Sequence, residues 1–271
     1  MTSGDGVQSI EVRSEGGDGG TSRRIAYRTA AATTPGTPGL LWLSGFKSDM
    51  ASTKATAVVA FARQHGLGAT LFDYSGHGLS SGRFEDGTIG RWLEEAVAVF
   101  RRVTRGPQVV IGSSMGGHIA LLLLKRLLAD YPEDAKRLAA LVLIAPAWDM
   151  TEELIWKGMP AAARRDIAER GVAYRPSEYG EPYAITRLLI EDGRRHLLAR
   201  QPFDPGRPVY ILQGARDPDV PLAHTRALVE FLRGGRTELV VVPDGEHRLS
   251  RPEDLALLFD LVGRAVGDAR R

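Results

Sequence analysis

Residues 109–128, VVIGSSMGGHIALLLLKRLL, constrain this chain more than any other stretch. An apolar run reaches Ile111, the pattern Gly112-Ser113-Ser114-Met115-Gly116 interrupts it, and from Gly117 the apolar residues continue over a helical length without a proline. This reads as a strand, one sharp turn and a helix, with G-x-S-x-G at the turn. A serine held at the tip of such a turn sits in a strained backbone conformation, which costs on the order of 1–3 kcal/mol. Side chains two positions to either side would collide with the adjoining strand and helix, and Gly112 and Gly116 remove those collisions. The turn would present the Ser114 hydroxyl at the carboxyl edge of a parallel sheet. The first free N–H groups of the helix, that of Met115 among them, would face any negative charge forming beside it. The plain alternative is a glycine-containing turn of some other α/β protein. That turn has no G-x-G-x-x-G and no Lys-Ser/Thr pair, so the dinucleotide and phosphate-loop versions lack their defining residues.

The remainder alternates in the way such a turn requires. Residues 7–13 and 24–30 have strand-like alternation, and the glycine-rich stretch between them reads as a turn. Continuous apolar runs at 39–44, 69–72, 107–112 and 139–145 suit strands buried on both faces, and 209–213 and 237–242 complete the set. Helical spacing covers 52–64 and 88–104. The spacing therefore predicts a mostly parallel central sheet with helices on both faces, formed by the whole chain 1–271 as one domain. Residues 147–204 break the alternation with Pro160, Pro176, Pro182 and Pro202. They concentrate Trp148, Met150, Leu154, Ile155, Trp156, Met159, Tyr174, Tyr179 and Tyr183, as expected of a small lid at the active edge. For each of these side chains, lining an apolar acyl pocket and packing the lid onto the sheet are both open.

Partners for Ser114 follow from chain order. In proteins built on this turn, the loop after the strand at 39–44 supplies a second N–H donor, which assigns Phe46. An ordinary loop with a buried Phe is the plain reading. After the strand at 209–213 come Asp217 and Asp219, and the expected order Ser, Asp, His favours a carboxylate there. Spacing favours Asp217 over Asp219, with Asp149 after the preceding strand a distant third. His247, in the last strand-to-helix loop, is placed to serve as the base. His77 lies in a glycine-rich loop before the Ser114 strand and reads as structural or as part of the site entrance. His118 reads as packed within the fold, and His65, His196 and His224 lie on or at the ends of helices.

Composition removes several function classes. The chain has no Cys, which excludes disulfides, thiolate metal sites and a cysteine nucleophile. Its net charge of +2 and the lack of a basic run argue against nucleic-acid binding. No stretch has the length of a membrane span, and the N-terminal residues, acidic in part, have no signal-peptide core. A cytoplasmic location is the expectation. No metal or cofactor is called for.

GFKSDMASTKA, FDYSGHGLSSG, TIGRW, GPQVVIGSSMGG, PSEYG and QGARDPDVP, together with the Ser114 turn, resemble the α/β-hydrolase superfamily. Within it they are similar to the group of acyl-glucuronide esterases and palmitoyl-protein thioesterases. The resemblance implies an α/β-hydrolase fold with a triad of Ser114, Asp217 and His247, and Phe46 and Met115 as oxyanion donors. It also implies hydrolysis of carboxylic esters or thioesters of small molecules or acylated proteins. The competing class is a ligand receptor that keeps the hydrolase fold with little or no turnover.

Overall fold

Period-two alternation in runs with no polar interruption explains the centre of the fold. In the computed structural model, which describes residues 6–13, 22–177, 180–234 and 236–270, Leu41 and Leu43 of one strand pack into one hydrophobic core while Leu40 and Trp42 pack into another. The same division separates Val110 from Val109 and Ile111. Each of these strands is therefore covered on both faces, which an all-apolar run requires.

In chain order the strands are β1 (Gln8–Arg13), β2 (Ser22–Ala30), β3 (Gly39–Leu43), β4 (Ala69–Phe72), β5 (Gln108–Ser113), β6 (Leu138–Ile144), β7 (Val172–Ser177), β8 (Gly180–Thr186), β9 (Val209–Gly214) and β10 (Thr237–Val242). The helices are α1 (Thr53–Gln64), α2 (Ile89–Arg102), α3 (Met115–Asp130), α4 (Pro132–Ala135), α5 (Ala161–Arg170), α6 (Arg187–Arg195), α7 (Leu222–Phe231) and α8 (Pro252–Ala269). Eight strands form one sheet in the order β1-β2-β4-β3-β5-β6-β9-β10. From β4 to β10 every pairing is parallel, and β2 runs antiparallel to both of its neighbours. Apolar residues of α1 and α8 fill one core, and those of α2 and α3 the other. This is an α/β-hydrolase fold. Leu43 pairs with Gly112, Ser113 with Ile144, and Val242 with Gly214, so the carboxyl ends of β3, β5, β6, β9 and β10 are drawn to one edge.

The stretch 147–204 contains more secondary structure than its prolines suggest. A π-helical turn at Thr151–Trp156 and α5 lead into the antiparallel hairpin β7–β8, and α6 follows. Helix α6 belongs to the sheet-covering layer: the Asp192 carboxylate accepts the Gly90 N–H at 2.7 Å, and Leu189 and Ile190 join the core of α2 and α3. Asp149 ties the two ends of the insertion together, its carboxylate accepting the N–H groups of Leu198 at 2.7 Å and Ala199 at 2.9 Å. The glycine-rich turn expected between the first two strands, and Tyr179, lie outside the described residues.

Candidate active site

Ser114 sits between β5 and α3 with φ 54° and ψ −117°. A Cβ on Gly112 would strike the Gly116 carbonyl, and one on Gly116 would strike the Leu43 carbonyl, so glycine is required at both positions. Three hydrogen bonds fix the strained residue: Ser114 N–H donates to the Ile144 carbonyl at 2.8 Å, and the Ser114 carbonyl accepts from Gly117 at 2.9 Å and Ala147 at 3.1 Å. The turn is thus held by β6 and α3 together, and the hydroxyl projects from the sheet edge.

His247 comes from the loop after β10, its Nε2 3.0 Å from Ser114 Oγ and its Nδ1 2.8 Å from Asp217 Oδ2. With Nδ1–H donated to the carboxylate, Nε2 is free to accept the serine proton. Asp217 is 6% exposed, and its other oxygen accepts the N–H groups of Asp219 at 2.9 Å and Val220 at 2.8 Å. Buried Gln213, on β9, adds an Nε2–H bond to Oδ2 at 3.2 Å and is itself held by the Thr225 hydroxyl at 2.6 Å. Asp219 makes no hydrogen bond to His247 among the described residues; it faces Arg175 of β7 at 3.7 Å. Asp149 is fully buried in its clamp on 198–199.

The loop after β3 lies across from His247. A Cβ on Gly45 would lie 3.4 Å from Ser114 Cβ, which places the following residue beside the serine. No acceptor takes the N–H of Phe46 or of Met115 among the described residues. Lys47 adopts φ 55° and donates its N–H to His77 Nε2 at 3.2 Å, while His77 Nδ1–H donates to the Ser75 carbonyl at 3.1 Å. Burial lowers the His77 pKa, which suits a neutral ring that must accept at Nε2. Asp73 holds the same loop from the other side, accepting the N–H groups of Met50 at 2.7 Å and Leu79 at 2.8 Å. The Phe46 ring is fixed edge-on against Phe84, Trp92 and Tyr183, with centroids 4.9, 5.9 and 5.5 Å away. The glycine-rich loop after β4, α2 and the inserted hairpin therefore all bear on one residue beside Ser114.

A cavity of about 260 Å³ opens at Ser114 and His247. Met150, Leu154 and Ile155 form its apolar wall, and Lys47, Arg175 and Asp219 also line it. One ligand-type atom each from Asp217, Asp219 and His247 lies within 4.8 Å of the others, a spacing that a metal ion could use. His247 Nδ1 and Asp217 Oδ2 are already bonded to each other.

The sequence matches the Alpha/beta hydrolase family over residues 34–256. The chain belongs to that family. Among its relatives, the palmitoyl-protein thioesterase ABHD10, mitochondrial, of Pongo abelii is 30% identical over 236 residues, covering 86% of this chain and 74% of its own. The Homo sapiens protein of the same name is 29% identical with the same coverage. A crystal structure from Agrobacterium vitis S4, provisionally named a hydrolase, superposes with a TM-score of 0.91 at 42% identity, covering 96% of this chain and 98% of the other. Alpha/beta hydrolase domain-containing protein 10 from mouse gives a TM-score of 0.81 at 27% identity, covering 97% and 98%.

The other histidines of this alpha/beta hydrolase are occupied elsewhere. His118 is fully buried and accepts the Asp149 N–H at 3.2 Å, and His224 Nε2–H donates to the Trp148 carbonyl at 2.8 Å. His65 stacks on Phe61, and His196 Nδ1–H donates to the Asp192 carbonyl at 3.0 Å. Gln213 carried no signal in the sequence beyond its place at the end of a strand. The glycines around His77 did mark a loop that approaches the site closely, but not that its imidazole would support the Lys47 N–H. In the insertion, Met150, Leu154, Ile155 and Tyr183 line the cavity. Trp148 instead stacks on Phe231, Trp156 lies between the guanidinium groups of Arg164 and Arg194, and Tyr174 is 68% exposed.

Proposed function

We propose that this hydrolase is a serine hydrolase that cleaves carboxylic esters or thioesters through an acyl-enzyme. The observation that carries the reading is the continuous hydrogen-bonded row from Ser114 Oγ through His247 to Asp217, at 3.0 and 2.8 Å, ending on a serine with left-handed φ. His247 Nε2 takes the Ser114 proton as Oγ attacks the acyl carbon. The charge that develops on the acyl oxygen is met by the N–H groups of Phe46 and Met115. Asp217 holds the imidazole tautomer and stabilises the imidazolium, which then protonates the leaving alcohol or thiol. Water repeats the attack with His247 as base, and the acid is released. No step needs a metal or cofactor.

The substrate class rests on the cavity and on the relatives. An apolar wall of Met150, Leu154 and Ile155 suits an acyl chain, and the relatives named as palmitoyl-protein thioesterases favour an acyl thioester or ester, on a small molecule or a protein. At about 260 Å³ the cavity is small beside the roughly 300–1,000 Å³ usual for ligand pockets, so short and medium chains are its natural occupants. Residues 147–204 act as the lid of a single domain spanning 1–271. Among the described residues no helix is long and apolar enough to cross a membrane, and a cytoplasmic location is proposed on the sequence alone.

Incubation with a fluorophosphonate probe, read by intact-protein mass, tests the proposal. One probe should add to the wild type and none to S114A, with turnover of p-nitrophenyl butyrate lost by about three or more powers of ten in that variant. A wild type that stays unlabelled, or an S114A variant that keeps its turnover, would favour the receptor reading or another nucleophile.

A further inference from the structure

The motif GFKSDMASTKA contains a lysine that the catalytic scheme leaves without a role. Lys54 is the second residue of α1, where the helix dipole disfavours a cation, and the first turn of α1 has no acidic residue to offset it. The ammonium is partly buried, and burial together with the nearby Arg248 charge lowers its pKa to about 8. A lysine placed against both effects must gain from its contacts. Those contacts are the carbonyl of Arg248, the residue after His247, and the Ser250 hydroxyl at 3.4 Å.

The base of the His247 loop is held from below, and within the loop the Ser250 hydroxyl donates to the Arg248 carbonyl at 2.9 Å. Arg251 bonds Asp244 at 2.7 and 3.1 Å and Asp254 at 2.8 Å, which closes the loop's base. The Arg216 N–H donates to the Gly245 carbonyl at 2.9 Å. Past His247 the backbone reaches φ 43° at buried Leu249. Lys54 reaches this segment from the first turn of α1, the helix into which the Phe46 loop runs. One side chain thus spans the two elements that flank Ser114.

We infer that Lys54 is a positioning residue for the proposed hydrolysis, holding the His247 loop in register with the oxyanion loop through the Arg248 carbonyl. The inference rests on the serine-hydrolase reading. Lys54 acts through His247 and touches no reacting atom. A misplacement of about 1 Å in such a site costs up to about 100-fold in rate, so K54M should lower kcat for p-nitrophenyl butyrate by about 10–100-fold with KM changed less than about twofold.

A pH profile separates positioning from mere packing. Besides Ser250, the groups that bear on the ammonium are Arg248, which lowers its pKa, and Asp254 at the start of α8 and Asp217 after β9, which raise it. Below about pH 8 the charged ammonium holds the Arg248 carbonyl by a charge-assisted bond; above it the neutral amine holds it more weakly. Wild-type kcat should fall as pH rises through about 8, and K54R, whose guanidinium stays protonated, should keep most of the activity and lack that fall.

A K54M kcat within twofold of wild type, or a parallel change in kcat, KM and melting temperature, overturns the inference. Should K54M not fold, K54R decides alone: an unchanged alkaline fall overturns the inference, and its disappearance supports it. S114A keeps the two readings apart. If S114A retains turnover, the nucleophile assignment is what fails; if S114A is inactive while K54M is unimpaired, only the role of Lys54 fails.

Discussion

Asp217 and Asp219 leave the same strand two residues apart, yet only Asp217 meets His247, at 2.8 Å, while Asp219 turns to Arg175 at 3.7 Å. The turn makes this choice: the N–H groups of Asp219 and Val220 both bind one Asp217 oxygen and leave the other facing the imidazole. D217N should release His247 into the wrong tautomer and lower kcat by about 10⁴-fold, by analogy with serine proteases. D219N removes a half-exposed ion pair worth at most about 1 kcal/mol and should change kcat less than about tenfold. Steady-state kinetics on one short ester ranks the two variants, and the reverse order would move the acid to Asp219.

His77 supports the Phe46 loop from behind, accepting the Lys47 N–H one residue after Phe46. H77F keeps a ring in the aromatic cluster but takes the acceptor from that half-buried N–H, which costs about 0.5–1.5 kcal/mol. We expect the melting temperature to fall and kcat to drop by about tenfold or more as the Phe46 N–H loses its position. H77Q, which can still accept, should recover most of both. If H77F and H77Q behaved alike, the imidazole would be filling space rather than holding the loop.

The parts of this fold that could be read in the sequence are those in which residue type and backbone are bound together. Strand 69–72 matches the structure and the other central strands differ by a residue or two, because burial on both faces keeps those runs almost wholly apolar; 237–242 also matches, although it is the half-buried edge strand. Gly112 and Gly116 announced Ser114 because no other residue fits against the Gly116 and Leu43 carbonyls. The insertion was less legible. Its hairpin exposes Tyr174, so an aromatic there reports no core, and apolar spacing cannot say whether Ile155 or Trp156 faces the cavity. The packing of helix α6 against α2 was hidden for a related reason: its partner, the Gly90 N–H, lies about a hundred residues away in sequence. Spacing favours Asp217 over Asp219, but the backbone N–H groups of residues 219 and 220 that hold its carboxylate have no signature in the sequence.

His118 should make the protein sensitive to acid. Complete burial, with the charges of His196 and His224 nearby, lowers its pKa from the ordinary 6.5 to about 3, and its Nδ1 must stay unprotonated to accept the Asp149 N–H. A base whose pKa is lowered on folding contributes stability that is full above about pH 6.5 and is lost as pH falls towards about 3. The loss by pH 3 is on the order of 5 kcal/mol. H118Q can still accept that N–H and has no proton to gain. It should be less stable than wild type at pH 8 but lose less stability between pH 7 and 4. Urea unfolding at both pH values checks this, and parallel declines in the two proteins would remove His118 as the cause.

The wall of the cavity makes the last prediction. Leu154 and Ile155 line the space beside Ser114, whereas Trp156, the next residue, lies between Arg164 and Arg194 at 5.2 and 4.8 Å. Each methylene of substrate buried against that wall contributes at most about 0.8 kcal/mol, so kcat/KM should rise by no more than about fourfold per carbon until the cavity is full. A space of about 260 Å³ fills early, and palmitoyl should gain nothing over octanoyl. L154A and I155A remove contacts to a longer chain but none to an acetyl group. The octanoyl-to-acetyl ratio of kcat/KM should therefore fall about threefold or more in each, with acetyl turnover nearly unchanged. W156A should leave that ratio within about twofold of wild type while lowering stability, because its ring supports the insertion rather than the substrate. If L154A and I155A kept the wild-type ratio, the cavity would not be the acyl site, and the chain would have to lie instead along the mouth near Lys47 and Arg175.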